Sequence, residues 1–243
     1  MSKEAADMVL RDDNFATIVA AVEEGRVIYD NLRRFVSYAV AGNIGKVMAM
    51  VIWPLPFIAT GTVPIDPVAL LPLQLLWLNL MTDGLLGLSL GAEPAEPDVM
   101  TRDPVEPTAG VFAGGLGRHT VATGVWIGSI ALGVAYWYHE SGDPAWQTML
   151  FTTLAVLQIV QAFAVRSHNR SVVGSNLFGN RVMSMMVLFV LALQVAAVYA
   201  PGLSDSVLGL HPLGASDWGV TLLAGLLLLL GAETWKLLWR RGS

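Results

Sequence analysis

Leu76-Trp77-Leu78-Asn79-Leu80-Met81-Thr82-Asp83-Gly84 sets an amide, a hydroxyl and a carboxylate inside an otherwise mostly apolar segment running from about Leu70 to Leu90. A carboxylate at membrane depth is costly and is rarely there without a use. On a helix, Asn79, Thr82 and Asp83 fall at i, i+3 and i+4, which is one face. Three oxygen donors on one face, followed by the helix-loosening Gly84, make a pattern suited to a hard cation near the bilayer midplane. The competing reading for Asn79 and Thr82 is packing glue, because both residue types hydrogen-bond between spans. Asp83 shifts the balance toward an ion pathway.

The rest of the chain has the same character. Its 243 residues are 54% hydrophobic and only 14% charged, with a mean hydropathy of +0.59; a soluble domain usually carries about 25% charged residues. The apolar runs are long enough to cross a bilayer. The expected fold is therefore an all-α polytopic membrane protein. A net charge of −5, with basic residues dispersed beside apolar spans, excludes a nucleic-acid partner. No cysteine is present, so disulfides and thiolate metal sites are excluded. His119, His139, His168 and His211 lack ligand spacing, and the polar N-terminus does not read as a signal peptide.

Residues 1–13 read as a short soluble strand and turn, expected to be poorly ordered because a lone strand has no sheet to pair with. Asn14 is a plausible N-cap. A helical pattern then runs without proline to Pro54, longer than one bilayer requires. Its charged first part, 14–34, reads as a cytoplasmic stalk, and 35–53 as the first span. Five further spans are expected at about 68–90, 116–137, 145–165, 181–199 and 217–238, so that 35–243 forms a six-helix domain. Pro54, Pro56 and Pro64 read as punctuation of the first extracellular loop. Of the 14 Lys and Arg residues, all but Lys46 lie on the stalk, in the 91–115 and 166–180 loops, at the C-terminus or at that interface. The other loops carry none, which places both termini in the cytoplasm. A bacterial source would make the bilayer the plasma membrane.

Inside the first span, Asn43 and Lys46 stand at i, i+3. Lys46 is 12 residues beyond Arg34, roughly 18 Å deeper at 1.5 Å per residue. That is too deep to snorkel easily, so Lys46 needs a partner, and Asp83 on the next span is the obvious one. The pair reads either as a structural intramembrane ion pair or as a tethered cation in a transport site. Gln158 and Gln161 are also i, i+3, with interhelical bonding and ion ligation both open. Gln194 lies in the fifth span. Glu233, three residues before Lys236, reads as a local pair.

Several of these stretches resemble one family. Ala5-Ala6-Asp7-Met8-Val9-Leu10-Arg11-Asp12-Asp13-Asn14-Phe15, with Ile18 to Arg26, looks like the end of the phosphorylation domain and the stalk of type II, calcium-pump-like P-type cation ATPases. Leu73 to Gly84 looks like their sixth transmembrane helix, and Glu96-Pro97-Asp98-Val99-Met100-Thr101-Arg102-Asp103-Pro104 like the loop that follows it. The resemblance covers essentially the whole chain and makes the six spans transmembrane helices five to ten. It implies that Asn43 matches a fifth-helix metal ligand, and that Asn79, Thr82 and Asp83 match sixth-helix metal ligands. Lys46 stands where two-calcium pumps have a glutamate. Gln158 stands near an eighth-helix acidic ligand that is often glutamine in one-calcium pumps. An ammonium at Lys46 argues against a second divalent ion. One calcium-like divalent ion is the first expectation; a proton or monovalent ion, with Lys46 as a built-in counter-cation, stays open.

The Asp-Lys-Thr-Gly-Thr phosphorylation motif, the Thr-Gly-Glu motif and the Gly-Asp-Gly-x-Asn-Asp magnesium motif do not occur in these 243 residues. No catalytic residue and no resident cofactor are therefore expected here, and this chain alone should not hydrolyse ATP. The cation is cargo, ATP and Mg2+ belong to other domains, and the partners are the bilayer and the N-terminal half of a pump. A non-enzymatic membrane scaffold, or an inert remnant of that half, is the alternative.

Overall fold

A computed structural model describes residues 14–61, 68–106, 109–166 and 179–242, with side chains as far as Lys236. Residues 1–13, the Pro64 region and most of the 166–180 loop lie outside the described residues. All regular structure among the described residues is helical, and six stretches are long and apolar enough to cross a membrane. The helices are α1 (Phe15–Ile52), α2 (Leu55–Thr60), α3 (Pro72–Trp77), a π-helical segment (Leu78–Gly84), α4 (Leu85–Leu90), α5 (Leu116–Glu140), α6 (Trp146–Val165), α7 (Arg181–Tyr199) and α8 (Ala215–Gly242). A second π-helical turn covers Leu203–Val207. α3, the first π-helical segment and α4 together make the second span, Pro72–Leu90.

α1 starts where its cap requires. The Asn14 side chain accepts from the Ala16 N–H at 3.0 Å, satisfying one of the amides the first turn leaves open. Its 38 residues give a rod of about 57 Å, against roughly 30 Å of hydrocarbon. Its buried positions (Asn31, Arg34, Tyr38, Ala41, Gly42, Gly45, Lys46, Ala49) repeat at threes and fours, so a single stripe faces the bundle. Pro54 and Pro56 do more than punctuate a loop. Proline is compatible with a first helical turn, and α2 begins there and stops at Gly61, whose φ of 68° needs no Cβ. The second span starts at Pro72, later than 68, because Pro72 sets its first turn and Gln74 accepts from the Leu71 N–H at 3.0 Å.

α6 is the hub. Within its most apolar 18-residue window 89% of residues are buried, against 28–39% for the other spans. Thr148, Thr152, Thr153, Gln158 and Gln161 are therefore held among protein groups and not lipid. α1 and α5 pack through small residues: Gly45, Gly124 and Gly128 bring the two backbones into near contact, the small-xxx-small device of membrane helices.

Arginines clamp the basic end. Arg26 donates to the carbonyls of Val99 (2.8 Å) and Arg102 (2.7 Å), and Arg33 to those of Val111 (2.9 Å) and Ala113 (2.5 Å). Arg34 pairs with Glu96 at 2.5 Å, Arg102 with Asp30 at 2.8 Å, and Arg166 with Glu93 at 2.8 Å. Asn180 accepts from the Met183 N–H at the start of α7 and donates to Glu93 at 2.8 Å. The segment after α4 is thereby tied to α1, α6 and α7.

At the opposite end, the Trp53 ring lies between Trp146 (4.2 Å between centroids) and Tyr136 (4.8 Å), stacked on both. The Tyr136 hydroxyl donates to the carbonyls of Trp53 (2.8 Å) and Ile52 (3.1 Å), closing the end of α1.

Candidate functional site

The second span crosses beside α1 at the depth of Lys46. The widened turn over Leu78–Gly84 alters the spacing expected of an α-helix there, since π-helical bonds run i to i+5. Within it Asn79 and Asp83 both reach one ammonium. Lys46 Nζ donates to Asp83 Oδ2 and, at 2.5 Å, to Asn79 Oδ1. The Lys46 side chain is 3% exposed and that of Asp83 11% exposed, so the charges neutralise each other away from water. A buried pair of this kind costs desolvation on both sides, and its value depends on how well the remaining lone pairs are met. Here they are not all met: Asp83 Oδ1 and Thr82 Oγ1 are buried without a hydrogen-bond partner.

The other candidate residues are placed as follows. Thr82 is fully buried beside Asp83 in the chain, whereas Asn79 is exposed on its outer side. Asn43 lies on the exposed face of α1 with Val40 and Val47; no hydrogen bond from its side chain is found among the described residues. Gln158 and Gln161 bracket Tyr38. The Tyr38 hydroxyl donates to Gln158 Oε1 at 3.3 Å, and Gln161 Nε2 donates to the Tyr38 carbonyl at 3.3 Å. These glutamines thus join α6 to α1, and none of their hydrogen bonds goes to Asp83. Their other ends, Gln158 Nε2 and Gln161 Oε1, are buried and unpartnered. Gln194 donates to Thr152 at 3.3 Å, and Glu233 stands 3.5 Å from Lys236.

Tyr38 and Gly42 were not singled out from the sequence. A Cβ at Gly42 would lie 2.4 Å from Gln158 Nε2, so the missing side chain is what admits the glutamine. The signal for Gly42 was its place one turn before Lys46 on the buried stripe; an aromatic residue such as Tyr38 carries no comparable signal.

No group of three or more His, Cys, Asp or Glu side chains placed to hold a metal ion is found among the described residues. A cation held here would meet one carboxylate, one amide and one hydroxyl. Calcium takes six to eight oxygens, so Asn79, Thr82 and Asp83 would supply only part of a shell.

Six helices long and apolar enough to cross a membrane, with a buried lysine–aspartate pair joining α1 to the second span, define an integral membrane protein. Residues 67–238 match the family described as cation transporting ATPase, C-terminus, and the chain belongs to that family of P-type ATPases. It is 39% identical over 206 residues to a calcium-transporting ATPase of Bacillus subtilis, covering 84% of this chain and 22% of that protein. It is 37% identical to calcium-transporting ATPase 1 of Lactococcus lactis, covering 79% and 21%, and 35% identical to a calcium-transporting ATPase of Listeria monocytogenes, covering 94% and 25%. The chain thus spans between about a fifth and a quarter of the length of these relatives.

Proposed function

We propose that this chain is the ion-translocating membrane region of a calcium-transporting P-type pump that carries one divalent ion per cycle. The observation that carries the reading is the ammonium of Lys46 on Asp83 and Asn79, two residues of the matched cation-transporting ATPase C-terminal region. A positive charge tethered beside the site repels a second divalent ion. In this reading Lys46 occupies the carboxylate when the site is empty and withdraws when the cation arrives. Asn79, Thr82 and Asp83 then become ligands, Asn43 joins them from α1, and Gln158 and Gln161 position α6. The remaining oxygens come from helices outside these 243 residues.

The first turns of α1 (14–34) form a cytoplasmic stalk, residues 1–13 belong to a phosphorylation domain, and both termini face the cytoplasm beneath a plasma membrane. ATP and Mg2+ act in the pump's phosphorylation and nucleotide domains, whose motifs this chain lacks, so it does not hydrolyse ATP alone. Phosphorylation there tilts the stalk and opens the Lys46–Asp83 site alternately to each side.

The test is a hybrid in which this chain replaces the matching region of the Bacillus subtilis pump. ATP-driven calcium uptake into inverted vesicles is expected at one calcium per ATP. Asp83→Asn should abolish it, and Glu140→Gln, at an exposed site, should leave it intact. Uptake that survives Asp83→Asn, or a ratio of two, would overturn the proposal.

A further inference from the structure

We propose that the crevice between α5 and α8, at the basic end of the bundle, is a binding site for an anionic phospholipid. His119, Ala122, Thr123 and Trp126 of α5 face Gly231 and Trp235 of α8 across a gap of about 220 Å³. The gap exists because small residues stand on both walls. Trp126 closes its deep end: its indole N–H lies 3.4 Å from the Leu227 carbonyl, and a Cβ at Gly231 would come within 2.6 Å of it. The Trp235 ring meets His119 edge-on at 5.9 Å near the mouth. From His119 to Trp126 is seven residues, about 10 Å along the helix.

The crevice is reached from the bilayer, since Val121 and Val125 on α5 and Leu227 and Leu230 on α8 are exposed beside it. A blind apolar slot two turns deep fits the upper part of an acyl chain. It does not fit a second transmembrane helix, whose seam would continue across the whole membrane.

Charge at the mouth selects the headgroup. Arg118 is exposed and stands one turn beyond Ala122 on the same face of α5, with its side chain directed toward the helix start. Lys236 of α8 is buried, its Nζ 3.0 Å from the Ala164 carbonyl of α6 and 3.5 Å from Glu233, so the exposed charge beside the mouth is that of Arg118. Glu233 is the sole acid in the sequence from Leu116 to His139 and from Trp218 to Gly242. Basic pockets between transmembrane helices hold anionic headgroups, and tryptophan rings favour that depth.

The experiment is native mass spectrometry of the full chain, delipidated in detergent and titrated with phosphatidylglycerol or phosphatidylcholine carrying the same acyl chains. One phosphatidylglycerol is expected to stay bound at concentrations where phosphatidylcholine has dissociated. Ala122→Phe, which fills the slot, should abolish that adduct. Arg118→Gln, at an exposed site that leaves packing intact, should lower the preference about fivefold, one basic residue's share. Equal retention of the two lipids by the wild-type chain, or an undiminished preference in Arg118→Gln, would overturn the proposal. A dimer that forms in the wild type and is lost in Ala122→Phe would overturn it in favour of a second copy in the slot.

Discussion

A Cβ placed on Gly124 would lie 2.8 Å from the carbonyl oxygen of Ala41 and 2.7 Å from Ile44 Cβ, so α5 and α1 touch backbone to backbone at this point. A rigid carbonyl cannot swing aside as a side-chain tip can. Gly124→Ala therefore forces the two helices apart and should cost about 1–3 kcal/mol, the usual range for overpacking. Gly133 on the same helix has nothing within 4 Å of an added Cβ, and Gly133→Ala should be neutral or stabilising. Thermal unfolding of both variants in detergent checks the contrast.

Lys46→Met leaves the Asp83 carboxylate buried without its ammonium. Removing one partner of a buried pair costs about 3–5 kcal/mol, whereas replacing both partners can be nearly neutral. The double variant Lys46→Met, Asp83→Asn should therefore be more stable than Lys46→Met alone. Reversible unfolding of the three variants and the wild type completes the cycle. Asn79→Ala removes one hydrogen bond to the ammonium while leaving the ion pair, and should cost less than Lys46→Met, about 1.5–3 kcal/mol.

Glu93 accepts from Arg166 at 2.8 Å and from Asn180 at 2.8 Å, with both ionised side chains largely buried. Glu93→Ala should destabilise the basic end by about 1.5–3 kcal/mol, the range for hydrogen bonds to a charged group. Hydrogen exchange should show the loss locally, at the start of α7, before it is felt at Trp53.

Trp53 has no exposed surface and is stacked on both Trp146 and Tyr136. Trp53→Ala should cost about 3–5 kcal/mol, as large aromatic truncations in cores do. Loss of near-ultraviolet dichroism from the stacked indoles would mark the same event.

The six spans were legible because run length and charge depletion survive any detail of packing. The Lys46–Asp83 contact was legible for a related reason: a charge 12 residues past Arg34 has few partners, and only one acid lies at that depth on the next span. The π-helical segment was not legible. Reading Asn79, Thr82 and Asp83 at i, i+3 and i+4 presumes a regular α-helix, and nothing in Leu78–Gly84 announces one extra residue per turn. The arginine clamps were also hidden, since Arg26 and Arg33 donate to backbone carbonyls, which every residue type presents alike. Asn43 shows another limit: its place one turn before Lys46 is plain in the sequence, but what lies against the exposed face it occupies is not.

The widened turn at Leu78–Gly84 also divides the second span into two phases. Gln74, buried before it, and Leu86 and Leu90, buried after it, lie on one side only because the extra residue resets the helical count between them. Winding the same residues at even α pitch would rotate everything beyond them by about 100°. Asp83 would then face elsewhere, with composition and hydropathy unchanged. For this stretch the pitch of the backbone, and not only the identity of its side chains, sets where the carboxylate points.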